Sequence, residues 1–308
     1  MAVFGTNDAK VLMPRNIADG MITEARTLSV TARLSNQEPQ RFGEVDYITF
    51  SDFPKAEFVE EGANKGSTGG EFGSVTAKPH KAHVTMRFNE EVQWLDEDYQ
   101  LGVLTQLGGQ GQIALSRALD LGLIHRINPL TGNVIAGWDN YLTDTDKSVE
   151  LAGEADADFR TAVGMLVAPE DGSASSAVTG AAFDPRFSWA LANLPEINGG
   201  QPTGRMRYPE LGFGTDVTGF SGVPAAQGDT VSGTPEAEDT GVRAIVGDWT
   251  NGVRWGVQRQ LPIEIIRFGD PDGQGDLKRK NQIALRLEIV YGWYVFASKF
   301  VLLVAEEE

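Results

Sequence analysis

A long amphipathic run restricts the fold more than any other feature of this sequence. Residues 95–125 carry apolar side chains three, four or seven positions apart, which is the spacing of one face of an α-helix. These apolar positions are Leu95, Tyr99, Val103, Leu107, Ala114, Ala118 and Leu121. The run starts with acidic residues and ends with His125 and Arg126, in accord with the helix dipole, before Asn128-Pro129 stops it. The pattern predicts one long helix, with His125 as a partner of its C-terminal end.

Three glycines interrupt the interior of this predicted helix. Gly108, Gly109 and Gly111 each cost about 1 kcal/mol relative to alanine in a helix interior. We therefore expect a bend at this point, or a helix in two pieces.

Two strand-like stretches precede the helix. Residues 45–58 are rich in β-branched and aromatic side chains, and Pro54 predicts an edge strand. Val84, Met86 and Phe88 then alternate with polar residues. The stretches are joined by VEEGANKGSTGGEFGSV, a glycine-rich tip that is longer than a short hairpin turn needs. They are expected to form a two-stranded arm, which is marginal alone in water and so lies against a neighbouring subunit.

The remaining chain mixes helices and strands. Strands are predicted over 244–249 and 253–268, followed by a turn at 269–276, an alternating run from 283 to 291 and an apolar run ending at 300–304. Between the long helix and these strands, a turn is expected at 130–133, a strand or a helix at 159–167, a short helix at 183–194, and loops with short strands at 199–241. The fold class is therefore α+β.

Composition excludes several classes of function. The formal net charge is −17, and such a surface repels phosphate backbones, so sequence-specific DNA binding is not expected. The chain has no cysteine, which excludes thiol catalysis and disulfides. The N-terminus lacks the pattern of a secretory signal. The apolar stretch 283–304 contains Arg286, Glu288 and Lys299, so no membrane insertion is expected.

No cofactor or metal site is predicted. The segment GQGQIA at 109–114 matches a dinucleotide fingerprint, but a helix-periodic acidic segment precedes it where a buried strand is required. His80 and His83 point to opposite faces of a strand and have no evident third ligand, so we interpret them as exposed strand histidines.

The order of these elements resembles the major capsid proteins of tailed bacteriophages, the HK97-fold family. The matching stretches include FPKAEFVEEGANKG, FGSVTAKPHKAHVTMRFNEEV, ALSRALDLGLIHRINPLTGN, FSGVPA, IVGDW, and IEIIRFGDPD through NQIALRLEIVYGWYVFASKFVLLV. The resemblance extends over residues 45–304 and is weakest between 140 and 215. It implies an N-terminal arm at 1–44, an extended E-loop hairpin at 45–90, a P-domain with a spine helix at 91–150, an A-domain at 151–255 and P-domain return strands at 256–308.

What the resemblance implies is a structural protein without turnover. Copies of the chain would assemble as hexamers and pentamers into an icosahedral shell around double-stranded DNA, in the bacterial host cytoplasm and then in the virion. Scaffolding, portal and decoration proteins are the expected partners. Intersubunit contacts are predicted on the hairpin, at Phe58, Lys65, Phe72, Val84 and Met86.

Some members of this family join neighbouring subunits covalently, through a hairpin lysine, an asparagine amide and a glutamate from three subunits. Lys65 falls where that lysine is expected, and Asn281 and Glu288 match the asparagine and the glutamate. The implied reaction is a single autocatalytic isopeptide cross-link. Gly66 follows the lysine where the family pattern would have a proline, and Gly69 and Gly70 loosen the tip.

Two other classes stay open at this point. An encapsulin-type bacterial nanocompartment shares the fold but would enclose enzyme cargo. A β-rich extracellular hydrolase or adhesin is the third alternative, although no signal sequence and no catalytic constellation support it.

Overall fold

The computed structural model describes residues 29–50, 56–67, 69, 72–91, 97–170, 174–260 and 263–306. Within these ranges the α-helices are α1 (Val30–Leu34), α2 (Glu97–His125), α3 (Ala155–Val167), α4 (Pro185–Ala192) and α5 (Trp249–Gly252). The strands are β1 (Val45–Phe50), β2 (Phe72–Asn89), β3 (Ser148–Leu151), β4 (Gly180–Phe183), β5 (Pro195–Asn198), β6 (Gln201–Met206), β7 (Gly219–Phe220), β8 (Val223–Gln227), β9 (Val242–Gly247), β10 (Val253–Gln260), β11 (Glu264–Ile266), β12 (Gln282–Val295) and β13 (Phe300–Ala305). Residues 1–28 of the predicted arm, together with Pro54, lie outside the described residues.

A five-stranded sheet forms the base of the hairpin. Its order is β1-β2-β12-β10, with β11 also paired to β12. Strand β2 pairs antiparallel with β1 over 72–77 and with β12 over 78–89. The prediction that the two stretches form a hairpin with an edge strand is confirmed. The long two-stranded arm is wrong in its extent, because Val84 to Phe88 are sheet positions within the body of the subunit.

A six-stranded sheet lies in the other half of the fold, with the order β3-β13-β9-β4-β8-β7. Both of its faces are buried. Ile245 and Leu302 belong to the core shared with α2 and the five-stranded sheet, while Val246 and Val301 belong to a second core with α3 and α4. Two-sided burial explains why these strands are continuous apolar runs without alternation. The last two strands of the chain, β12 and β13, therefore lie in different sheets.

The long helix is a single element. Helix α2 is continuous from Glu97 to His125, so the expectation of two pieces is wrong. Part of the reason is packing: a Cβ at Gly111 would lie 3.1 Å from Leu287 and 3.3 Å from Met86. The glycine lets the helix approach the sheet closely, and this contact offsets the cost of its low helix propensity.

Most of the other predicted elements are confirmed. Residues 159–167, left open between strand and helix, belong to α3. Asp184 is the N-cap of the short helix α4, and its carboxylate accepts a hydrogen bond from the Arg186 amide at 2.8 Å. The turn at 130–133 is closed by hydrogen bonds to Asn128. Strands lie in both stretches predicted at 244–249 and 253–268, but Trp249 begins α5, and the second stretch contains two strands, β10 and β11.

Candidate assembly site at the hairpin tip

The tip between β1 and β2 leaves the body of the subunit. Every residue from 56 to 67 is exposed, and Phe58 is exposed over its whole side chain. Phe58 belongs to neither of the two hydrophobic cores of the subunit. Lys65 lies in this segment and has no ion-pair partner among the described residues.

Three further residues predicted to contact neighbours lie on β2. Val84 and Met86 are half-buried and pack against the core of their own chain. Phe72 begins β2 and pairs with Phe50 in the backbone register. Contact of these three residues with a neighbouring subunit stays a prediction.

Asn281 lies directly before β12, and Glu288 lies within this strand. Asn281 precedes the strand in the left-handed conformation, with φ at 50°, and its carbonyl accepts the Glu90 amide at 2.8 Å. Asn281 and Glu288 are seven positions apart, or about 23 Å along an extended chain. One subunit therefore does not bring these two side chains together.

Glu288 already has a partner that the sequence reasoning missed. Its carboxylate forms an ion pair of 2.9 Å with Lys81 on β2, and the Glu288 side chain is only 18 % exposed. Register explains the contact: Glu288 lies opposite His83 and Lys81 is two residues along that strand. Any incoming lysine would have to share this carboxylate with Lys81.

The chain before the hairpin crosses the five-stranded sheet over paired glycines. Gly256 of β10 and Gly292 of β12 face each other, and a Cβ on either would meet residues 38–40. The Gln40 amide donates to the Tyr47 hydroxyl of β1 at 2.9 Å. The segment 37–43 therefore links the sheet to the base of the hairpin.

A buried carboxylate holds the chain ahead of this segment, at residues 29–31. Asp120 of α2 accepts hydrogen bonds from four donors: the Ser29 hydroxyl at 2.5 Å, the Val30 amide at 2.9 Å, the Thr31 amide at 3.1 Å and the Thr230 hydroxyl at 3.0 Å. Burial raises the pKa of Asp120, and the hydrogen bonds from Ser29 and Thr31 oppose that rise. Asp120 thus joins α1, α2 and the turn before β9.

His125 is buried and His80 is half-buried, whereas His83 is exposed, as the sequence indicated for it. Burial lowers the pKa of His125 to about 4, and its Nε2 lies 2.8 Å from the Val231 carbonyl. His125 is therefore a neutral link to a neighbouring loop and not the charged helix-end partner that the sequence indicated. His80 stacks on Trp293, with ring centroids 3.9 Å apart, and burial lowers its pKa to about 4. The interpretation of His80 as an exposed strand residue is therefore wrong.

Within the described ranges, no group of three histidine, aspartate or glutamate side chains is arranged to hold a metal ion. None of the helices described is long and apolar enough to cross a membrane.

Solved structures of other proteins are similar to this chain over most of its length. No protein-family model and no curated protein sequence matches the chain. A solved structure from Mycobacterium phage Ogopogo is 43% identical, covers 90% of this chain and 92% of its own, and superposes with a TM-score of 0.76. One from Gordonia phage Cozz is 29% identical over 91% of this chain and 87% of its own, with a TM-score of 0.77.

More distant structures share the fold. The capsid of an empty gene transfer agent particle is 14% identical over 91% of this chain and 90% of its own, with a TM-score of 0.56. These comparisons do not favour the nanocompartment or the extracellular hydrolase. The mixed α+β fold, the projecting tip and the similarity over nine-tenths of a phage structure lead to one conclusion: the chain belongs to the major capsid proteins of tailed bacteriophages.

Proposed function

We propose that this capsid protein forms the icosahedral head shell, as hexamers and pentamers of a subunit with the HK97 layout. In this layout, the tip with β1 and β2 is the E-loop, and α2 with the other three strands of the five-stranded sheet is the P-domain. The six-stranded sheet with α3 and α4 is the A-domain. Strand β13, assigned by the sequence to the P-domain, pairs with β9 in that sheet. The other predicted boundaries stay predictions.

The observation that carries this proposal is the exposed tip. Residues 56–67 are exposed on a subunit that has two buried hydrophobic cores, and none of the described residues covers Phe58. A shell built from many copies needs such elements to lie across neighbours. Burial of one phenylalanine stabilises a contact by about 1.5–3 kcal/mol, repeated at each copy of the interface.

The test is assembly with the neighbouring phage genes supplied, followed by sedimentation and electron microscopy. Wild type is expected to give large particles. Phe58→Asp is expected to leave subunits or small oligomers, because a carboxylate would be buried at each contact. Leu130→Asp is a matched control, since Leu130 is also highly exposed but lies in the turn after α2. Normal particles from Phe58→Asp would contradict the proposed role of the tip.

The contents of the shell are proposed to be double-stranded DNA held without specific binding. The net charge of −17 disfavours adhesion of a phosphate backbone to the wall. Nuclease-protected DNA in purified particles is the expected result. Particles filled with an enzyme and free of DNA would instead indicate a nanocompartment. Scaffolding, portal and decoration proteins, and assembly in the host cytoplasm, remain part of the proposal.

A covalent bond between subunits is a second part of the proposal, based on the resemblance. Glu288 would take a proton from the Lys65 ammonium, and the neutral amine would attack the side-chain amide carbon of Asn281. A new C–N bond forms, the original C–N bond breaks, and the amide nitrogen leaves as ammonia, which regains the proton from Glu288 as ammonium. The three residues would come from three subunits.

Denaturing gels of boiled particles test this bond. Wild type is expected to give a ladder of oligomers, and Lys65→Arg, which keeps the charge but lacks the amine, a single band near 33.3 kDa. Glu288→Gln should slow the ladder without loss of particles. A single band from wild-type particles would refute the cross-link and leave the shell proposal intact.

A further inference from the structure

One contact closes the hairpin tip directly beside Lys65. The Glu57 carboxylate accepts a hydrogen bond from the Gly66 amide at 3.1 Å, across nine positions of the chain. On the other side of the lysine, the Ala63 amide donates to the Glu60 carbonyl at 3.1 Å and forms a turn. Lys65 therefore lies between two fixed points of an otherwise exposed loop.

The glycine at position 66 fits this contact. A Cβ there would lie 2.7 Å from the Glu57 carboxylate oxygen, which a flexible side chain could relieve only by moving away. A proline would be worse, because it has no amide hydrogen to donate. The glycine that departs from the family pattern thus has a local physical reason in this chain.

We propose that Glu57 is a positioning residue for Lys65. By holding the Lys65–Gly66 peptide, it fixes the backbone torsion after the lysine and so the direction in which the side chain leaves the tip. Preorganisation of this kind raises the fraction of encounters in which an amine meets its target. The inference rests on the proposed bond between Lys65 and Asn281, to which it adds a residue.

The tip supplies its own control for charge. Glu60 is an exposed carboxylate on the same loop, and among the described residues it contributes to the turn through its backbone carbonyl and not through its side chain. Glu60→Ala therefore removes the same charge as Glu57→Ala without removing the bond to Gly66. Glu57→Gln removes the charge but keeps an oxygen that can accept the bond.

The rate of trypsin cleavage in unassembled subunits tests whether Glu57 closes the tip, because trypsin cuts the Lys65–Gly66 bond itself. We expect Glu57→Ala to be cut at this bond about three- to tenfold faster than wild type, as the loss of one modest hydrogen bond implies. Glu60→Ala and Glu57→Gln should stay within about twofold of wild type. Equal rates for all four proteins would overturn the proposed contact.

The rate at which cross-linked oligomers form in assembled particles measures the effect of Glu57 on the proposed bond between Lys65 and Asn281. Glu57→Ala should form the ladder more slowly by a similar factor, at unchanged particle yield, and Glu57→Gln should restore the rate. A wild-type ladder that is equally fast in Glu57→Ala would overturn the positioning role. If wild type forms no ladder, the covalent proposal fails and the positioning role with it, while the trypsin rates still decide whether Glu57 closes the tip.

Discussion

The hairpin tip differs from the buried hydrogen-bond network around Asp120, which joins residues 29–31 and Thr230 and is called the Asp120 anchor below. The two regions differ in the exposure of their polar groups. At the anchor, one buried carboxylate is matched by four donors from two other segments of the same chain, residues 29–31 and Thr230. At the tip, residues 56–67 are exposed, and the Glu57–Gly66 bond is open to water. The anchor therefore determines the geometry of one subunit. The tip leaves polar groups and apolar surface exposed, where another molecule can contact them.

This difference predicts that subunit stability and shell assembly can be changed separately. Substitutions at the anchor should lower the free energy of unfolding of the unassembled subunit. Substitutions at the tip should leave that free energy unchanged and act on assembly or on the cross-link.

The largest effect is expected from Asp120→Ala. The change leaves the Ser29 and Thr230 hydroxyls and two backbone amides buried without their acceptor, and we expect a loss of about 3–5 kcal/mol in the free energy of unfolding. Urea unfolding of unassembled subunits measures it. Glu60→Ala, a carboxylate removed from the tip, should show no measurable change; a similar loss in both variants would contradict the comparison.

The next largest loss of stability is expected from alanine at Gly256 and Gly292, the two glycines that contact the segment 37–43, and it should differ between them. A Cβ at Gly256 would meet the backbone carbonyl of Glu38, whereas at Gly292 it would meet the ends of the Gln40 and Gln258 side chains. Gly256→Ala should therefore cost about 2–3 kcal/mol, and Gly292→Ala about 1 kcal/mol, because side chains yield more easily than backbone. The same urea titrations measure both, and the reverse order would show that this segment is not held as described.

A loss of similar size in the free energy of unfolding is expected when the pH is lowered. Burial lowers the pKa of His125 to about 4 from an unfolded value near 6.5, so the unfolded chain binds the proton more readily. Stability is then lost as the pH falls from about 6.5 towards 4, by about 2 kcal/mol between pH 7 and pH 5 for this group. His125→Gln should show a shallower loss over this range; an unchanged pH dependence would exclude His125 as its source.

The smallest effect on stability is expected at Phe58. Because its side chain is fully exposed, Phe58→Asp should change the free energy of unfolding by less than about 0.5 kcal/mol, although it blocks assembly. Circular dichroism and urea unfolding of the unassembled variant measure this. A loss of several kcal/mol would mean that the tip stabilises its own subunit.

The sequence predicted the elements that have one buried face or a clear period. The long helix, the hairpin and the alternation in β12 follow from the spacing of apolar residues. The six-stranded sheet did not, because Ile245 and Val246 are buried on opposite faces and leave no alternation. For such strands, pairing partners depend on contacts between residues far apart in the chain.

The candidate site was predictable only in part. The exposed tip and its lysine follow from glycine content and resemblance. The partners of Glu288 and Gly66 do not, because cross-strand register and loop closure decide them. His80 was misjudged because strand parity cannot show that Trp138 and Trp293 cover one face.

The place of β13 has a consequence for the time course of synthesis. This strand, at residues 300–305, is inserted between β3, at residues 148–151, and β9, at residues 242–247. At ribosomal speed the interval from β3 to β13 lasts on the order of ten seconds. During that time the sheet has an unfilled slot, and the nascent chain lacks its complete second core. Subunits with a complete six-stranded sheet would therefore arise only after translation has passed this strand.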